Sequence, residues 1–183
     1  MTALELSNKY KTLLSKNGIN TPLRLAHFFA QLAHESNNFT RLREIGNDSY
    51  FLKYEGRKTL GNTQKGDGLR FKGRGFIQIT GRYNYTVLSK ETGIDYVNNP
   101  AWLEREADAM TSALWFWNRN KLNKYADLDD IDSVSDLINK GKLTEQHGDA
   151  NGFTDRNNKL KYYKTVFNKN APPNSGAFLC PMY

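Results

Sequence analysis

A chain of 183 residues is long enough for one domain with a sizeable core. With 38% hydrophobic and 13% aromatic residues it is a folded globular chain, which excludes a disordered one. The 26 Lys and Arg against 19 Asp and Glu leave a net charge of +7, which attracts polyanions without choosing among nucleic acid, acidic membrane surface and an anionic cell wall. A solubilising surface that steers nothing is the plainer alternative. No apolar run approaches the roughly 20 residues of a membrane span, so membrane insertion is not expected. The start, MTALELSNKY, has no basic segment followed by an apolar core, so no signal peptide is expected either. Cys180 is the single cysteine; no internal disulfide can form, and folding in the cytosol is expected.

In chain order, Leu6, Tyr10, Leu13 and Leu14 predict a helix over residues 2–17, stopped by Gly18. Thr21-Pro22 then opens a second helix, with Thr as N-cap and Pro at its first position. Leu25, Phe28, Phe29 and Leu32 mark its core face. Glu35 falls on the same stripe, seven residues after Phe28. An acid held against apolar surface can keep a proton to give away, as a general acid must. Ser36-Asn37-Asn38 favour caps and turns, so the helix should stop and the chain fold back, bringing Glu44 across a cleft from Glu35. On spacing alone a solvated charged turn around Arg41, Arg43 and Glu44 is the simpler reading, and a paired acid the alternative.

Seven glycines over residues 45–75 break every periodic pattern and predict a long functional loop with a short strand or two. Phe76-Ile77-Gln78-Ile79-Thr80 reads as a short extended piece, Gln78 and Thr80 pointing to one side and Ile77 and Ile79 to the other. With Tyr83 and Asn84 it offers neutral donors, acceptors and aromatic surface, the chemistry that holds a sugar. A polar turn before a helix, with Tyr83 and Tyr85 in the core, explains the same residues equally well. Helices are then predicted near 82–92, from Asn99-Pro100 to about Asn118, around Ile131–Ile138, and from about Asp155 to Phe167. The helix through Met110, Leu114 and Trp117 is apolar nearly all round and should be central. Residues 1–168 form the predicted domain and 169–183 a Pro/Gly/Ser-rich tail that docks loosely or not at all.

His27 and His34 lie seven apart without a Cys or further His at ligand spacing, so no metal and no other cofactor is expected. No phosphate loop and no Gly-x-Ser-x-Gly elbow is present, which argues against nucleotide binding and serine catalysis.

The pieces AHFFAQLAHESNNF, YEGR, FKGRGFIQITGRYNY, ALWFWN, LINKG and NGFTDR resemble, in order and spacing, glycoside hydrolase family 19, over roughly residues 20–167. The short stretch between Glu35 and Gly73 is more similar to the family's phage endolysins than to its plant chitinases. The resemblance implies a mainly α-helical, lysozyme-like single domain with a deep cleft, and inverting hydrolysis of β-1,4 bonds. It implies Glu35 as general acid and Glu44 as general base, with Thr80 helping to position the water. Gln78, Tyr83, Asn84, Asn139 and Arg156 match sugar-contact positions. Counting as in the plant enzymes, Glu55 competes with Glu44, which is preferred; the usual Asn-Gly-Gly is here Asn139-Lys140-Gly141. Inversion needs carboxyls about 6.5–9.5 Å apart.

The expected function is therefore that of an endolysin on peptidoglycan, with chitin as alternative substrate and a basic binding module for nucleic acid or cell wall as the distant one. No nucleic-acid motif is found, so no nucleic-acid partner is expected. The protein is expected to be monomeric and to stay in the host cytoplasm until a separate membrane-permeabilising protein releases it.

Overall fold

The computed structural model describes residues 1–170; the tail beyond Asn170, with Cys180, lies outside the described residues. The chain is built from α1 (Ala3–Lys9), α2 (Lys11–Lys16), α3 (Pro22–Glu35), α4 (Asp48–Phe51), α5 (Asp67–Arg70), α6 (Arg82–Thr92), α7 (Glu106–Arg119), α8 (Asn123–Asp127), α9 (Ile131–Lys140) and α10 (Phe153–Lys169). Short 3-10 turns cover Leu52–Tyr54, Lys58–Leu60 and Pro100–Glu104.

α3 is the axis. Thr21 caps it, its hydroxyl accepting from the Arg24 backbone N–H, and Pro22 takes the first turn as expected. Every residue from Ala26 to Ala33 is buried, so the helix is enclosed on all sides. α10 lies against it, and Phe29 stacks on Phe167 with centroids 5.5 Å apart. On another side Phe28 meets Trp117 of α7 edge to face at 5.3 Å. Those aromatic contacts favour one register of the three helices beyond the area they bury.

Several element boundaries differ from expectation. The first predicted helix is two, broken at Tyr10, whose hydroxyl reaches across to Glu106 at 2.8 Å. The helix expected from Pro100 opens as a 3-10 turn and restarts after Arg105, whose extended backbone (ψ 137°) interrupts it. Trp115 and Phe116 are only half-buried, so α3 is more enclosed than α7. α8 had no clear signal in the sequence.

The Gly-rich stretch carries two one-turn helices and no ladder strand; the described β structure is two isolated bridges, Arg43 with Arg74 and Arg74 with Ile79. The extended piece expected over residues 76–80 is instead a tight turn. Arg74 and Ile79 exchange both backbone hydrogen bonds, at 2.8 and 3.1 Å, and Gln78 is left-handed with φ +54°. Ile77 and Ile79 are both buried, which a flat strand with two faces would not require.

Candidate active site

Glu35 is the last residue of α3, and its side chain is 19% exposed. Its surroundings are not only apolar, as the stripe had suggested. Arg156, in the first turn of α10 and 1% exposed, donates one guanidinium nitrogen to Glu35 Oε1 at 2.5 Å. A second nitrogen donates to Gln31 Oε1, one helical turn earlier on α3, also at 2.5 Å. The third donates to the Asn151 carbonyl at 3.0 Å. Asn139, near the end of α9, accepts from the Asn151 N–H at 2.9 Å and so fixes the loop that bears that carbonyl. Arg156 and Asn139, expected against a sugar, thus hold each other's neighbourhood and the Glu35 carboxyl. Gln31 escaped the sequence reading; the available signal was a polar residue on a buried stripe, four positions before an acid.

After Glu35 the chain does turn back. Ser36 is fully buried, its hydroxyl donating to the Leu32 carbonyl at 2.6 Å. Asn37, Asn38 and Phe39 then all take left-handed backbone, φ +49°, +55° and +63°. Such a run costs energy in L-residues, most of all at Phe39. Phe39 offsets it by burying its ring against Phe29 and Phe76.

The returning segment pairs with the Gly-rich turn: Gly75 N–H donates to Leu42 O at 3.0 Å, and Glu44 N–H to Gly73 O at 2.9 Å. This seats the Glu44 carboxylate, 18% exposed, among donors. Tyr54 hydroxyl donates to Oε1 at 2.9 Å, Gly73 N–H to Oε2 at 3.2 Å, and Lys53 Nζ stands 3.4 Å from Oε1. Burial first, then the bond to Glu44, push the Tyr54 phenol above its ordinary value, so it keeps its proton as a donor at neutral pH. Tyr54 and Lys53 were not singled out from sequence, because only the folded loop brings them to Glu44.

Gln78 and Thr80 converge on the same place. A methyl group added at Gly73 would lie 2.9 Å from Gln78 Oε1, 3.2 Å from Thr80 Oγ1 and 3.3 Å from Glu44 Oε2. With no side chain at Gly73, three oxygens of three different residues converge on the space beside its Cα. Thr80 hydroxyl donates to Gln78 O at 2.9 Å, and Gln78 Nε2 to Gly75 O at 2.9 Å, which turns the oxygens of both side chains toward that space. Asn84 Nδ2 donates to Thr80 O at 2.9 Å and braces the turn, whereas Tyr83 is 55% exposed on the first turn of α6.

Glu55 has a different post. Its two oxygens accept from Gly66 N–H at 2.6 Å and Gly68 N–H at 2.9 Å, tying down the start of α5. The same turn is tied to α6 by Arg82, which grips the buried Asp67 at 2.6 Å; that hydrogen bond holds the Asp67 carboxyl below its usual range. The two α3 histidines go to separate partners, His27 to Asp129 at 2.9 Å and His34 to Asp155 at 2.7 Å. Burial lowers His27, whose Nδ1 has no partner.

The family profile described as chitinase class I, glycosyl hydrolase family 19, matches residues 14–134 of the 183. A Haemophilus influenzae family 19 domain-containing protein is 31% identical, the match covering 70% of this chain and 76% of that protein. An Arabidopsis thaliana endochitinase is 33% identical over 66% of this chain, which spans only 39% of that enzyme's length. Among solved structures, chitinase C from Streptomyces griseus superposes with a TM-score of 0.65 at 21% identity, over 80% of this chain and 60% of that one. The class IV chitinase of Zea mays gives 0.61 at 23% identity, over 84% and 72%. Those two likenesses establish the α-rich, lysozyme-like fold. The chain belongs to glycosyl hydrolase family 19 and is a glycosidase.

Proposed function

We propose that the chain acts as an endolysin-type enzyme that opens β-1,4 bonds between the N-acetylated amino sugars of bacterial peptidoglycan by inverting hydrolysis. The observation that carries the chemistry is the convergence of Glu44 Oε2, Thr80 Oγ1 and Gln78 Oε1 beside Gly73. A water needs two to four polar partners to be held, and these converging oxygens supply three. Glu44 takes a proton from that water as its oxygen attacks the anomeric carbon. The bond to the leaving sugar breaks, and Glu35 delivers a proton to the departing oxygen. Arg156 occupies Oε1 of Glu35, which leaves Oε2 to carry the proton. Once the proton has gone, the same guanidinium stabilises the carboxylate left behind. Tyr83, exposed beside the turn, supplies an aromatic face for a pyranose ring. The net charge of +7 supports an acidic wall polymer as substrate.

Chitin is the second reading, favoured by the family match and by the endochitinases among the relatives. Purified protein is to be incubated with chloroform-treated Gram-negative cells and with colloidal chitin. Clearing of the cells, with new reducing ends in the released muropeptides by mass spectrometry, is the expected result. Clearing of chitin alone transfers the activity to the second reading, and release of amide-cut fragments removes both. Untreated cells should resist, because in the proposed role the enzyme waits inside the host until the membrane is perforated.

A further inference from the structure

The segment that delivers Glu44 carries two arginines that the proposed chemistry does not use. Arg41 and Arg43 are both exposed, and with Thr40, Leu42, Ile45 and Glu104 they line an open groove of about 420 Å³. Arg41 has no ion-pair partner among the described residues. Arg43 reaches only Glu104, at 3.9 Å, with 59% of its side chain in solvent. Glu104 is already matched by the buried Arg74, whose Nε donates to it at 2.8 Å. The groove therefore has a cationic surplus. Lys72 feels it: burial first, then Arg74 and Arg43, lower its ammonium below the ordinary lysine value. Next to these charges Ile45 exposes an aliphatic side chain, 69% to solvent.

A neutral chain of N-acetylglucosamine offers these guanidinium groups hydroxyl and amide oxygens but no opposite charge. A peptidoglycan strand does: its sugars bear short peptides with several carboxylates and small methyl side chains. Guanidinium groups match carboxylates in geometry, and the pair is stronger than a neutral hydrogen bond. We propose that the Arg41–Arg43 groove is a subsite for the anionic stem peptide of peptidoglycan, carried on the same segment as Glu44, whose chain neighbours Arg43 and Ile45 line it, so that a peptide-bearing sugar is favoured at the cut. The proposal rests on the peptidoglycan reading above and gives that reading a specificity element.

The test uses the full chain and its R41Q/R43Q double variant. The substrates are intact sacculi, the same sacculi stripped of stem peptides by an amidase, and a neutral N-acetylglucosamine hexamer. A K16Q/K124Q variant, with the same charge loss on α2 and α8, controls for net charge, and thermal melting confirms folding. The subsite predicts that R41Q/R43Q loses about tenfold in kcat/KM on intact sacculi, the scale of one charge-assisted hydrogen bond. It predicts rates within about twofold on the stripped sacculi and the hexamer, and wild-type rates for the control. Equal losses on all three substrates, no loss on any, or the same loss in the control variant would overturn the subsite while leaving peptidoglycan as substrate. A wild type that cuts the hexamer but neither form of sacculi overturns the peptidoglycan reading itself.

Discussion

Glu35 stands at the end of a fourteen-residue helix, against a buried arginine from a second helix and a loop pinned by a third. Glu44 stands on a returning loop, held by a tyrosine, a lysine and a glycine N–H that are themselves in loops and single-turn helices. The first wall is rigid because α3 and α10 bury large aromatic faces against one another. The second is rigid only where backbone pairs, Leu42 with Gly75 and Glu44 with Gly73, close it. The contrast fits the division of labour proposed for them. A proton donor needs one fixed oxygen, whereas a base must also shape a pocket for a water, and loops shape pockets more freely than helices. It follows that removing the Arg156 brace of Glu35 should cost stability together with rate, whereas changes at the residues that face Glu44 directly should cost rate alone.

The largest effect on rate is expected from Glu35→Gln. It keeps the acceptor for Arg156 and removes the donated proton, so turnover of cell walls in a turbidity assay should fall about 10²–10⁴-fold, with a melting temperature close to wild type. Gly73→Ala comes next. Its methyl would press on the side-chain oxygens of Gln78, Thr80 and Glu44, and displacing the proposed water by about 1 Å should cost about 10²-fold, with little change in melting because the ends of flexible side chains can give. A variant that melts normally and turns over normally would remove the water site from the account.

Arg156→Ala separates the walls most sharply. It strips Gln31 and Glu35 of their shared donor and should lower stability by about 3 kcal/mol, the lower end for a broken buried pair because Glu35 is partly exposed. That shift is about 6–12 °C in Tm for a chain of this size. Thr80→Val, on the other wall, removes one hydroxyl and should cost about tenfold in rate, with Thr80→Ser restoring it.

How far the sequence carries is best seen residue by residue. α3 was legible because Thr21-Pro22 and the Leu25–Leu32 stripe agree on one helix, and its end because Ser36-Asn37-Asn38 favour caps. The left-handed Phe39 was not, since nothing local recommends a bulky residue there; its contacts with Phe29 and Phe76 decide it. Ile77-Gln78-Ile79-Thr80 alternates like a strand, and the alternation misled because both isoleucines find core around a turn. Gln78 and Thr80 nevertheless come to one place, through the geometry of the turn and not through a pleat. Arg156 was named only through family resemblance, because its partners on α3 lie 121 and 125 residues away in the chain. Its burial among them is visible only in the fold.

The smallest expected effect concerns the Asp67–Arg82 staple of the second wall. Arg82 depresses the folded Asp67 pKa, so its contribution to stability is present above the unfolded value, near 3.9, and is lost as pH falls through the folded one. Asp67→Asn should therefore melt below wild type at neutral pH, and the gap should close on acidification below that range. A gap that stays constant or widens in acid contradicts the assignment.

The assignment of the base is tested most directly by comparing Glu44→Gln with Glu55→Gln on the same cell-wall substrate. Glu44→Gln should fall to near background while melting like wild type. Glu55→Gln should keep most of the wild-type rate and lose stability, because Glu55 accepts from Gly66, just ahead of α5, and from Gly68 in its first turn. The reverse pattern, an inactive Glu55→Gln beside an active Glu44→Gln, would place the base on the wrong residue and the water in the wrong pocket.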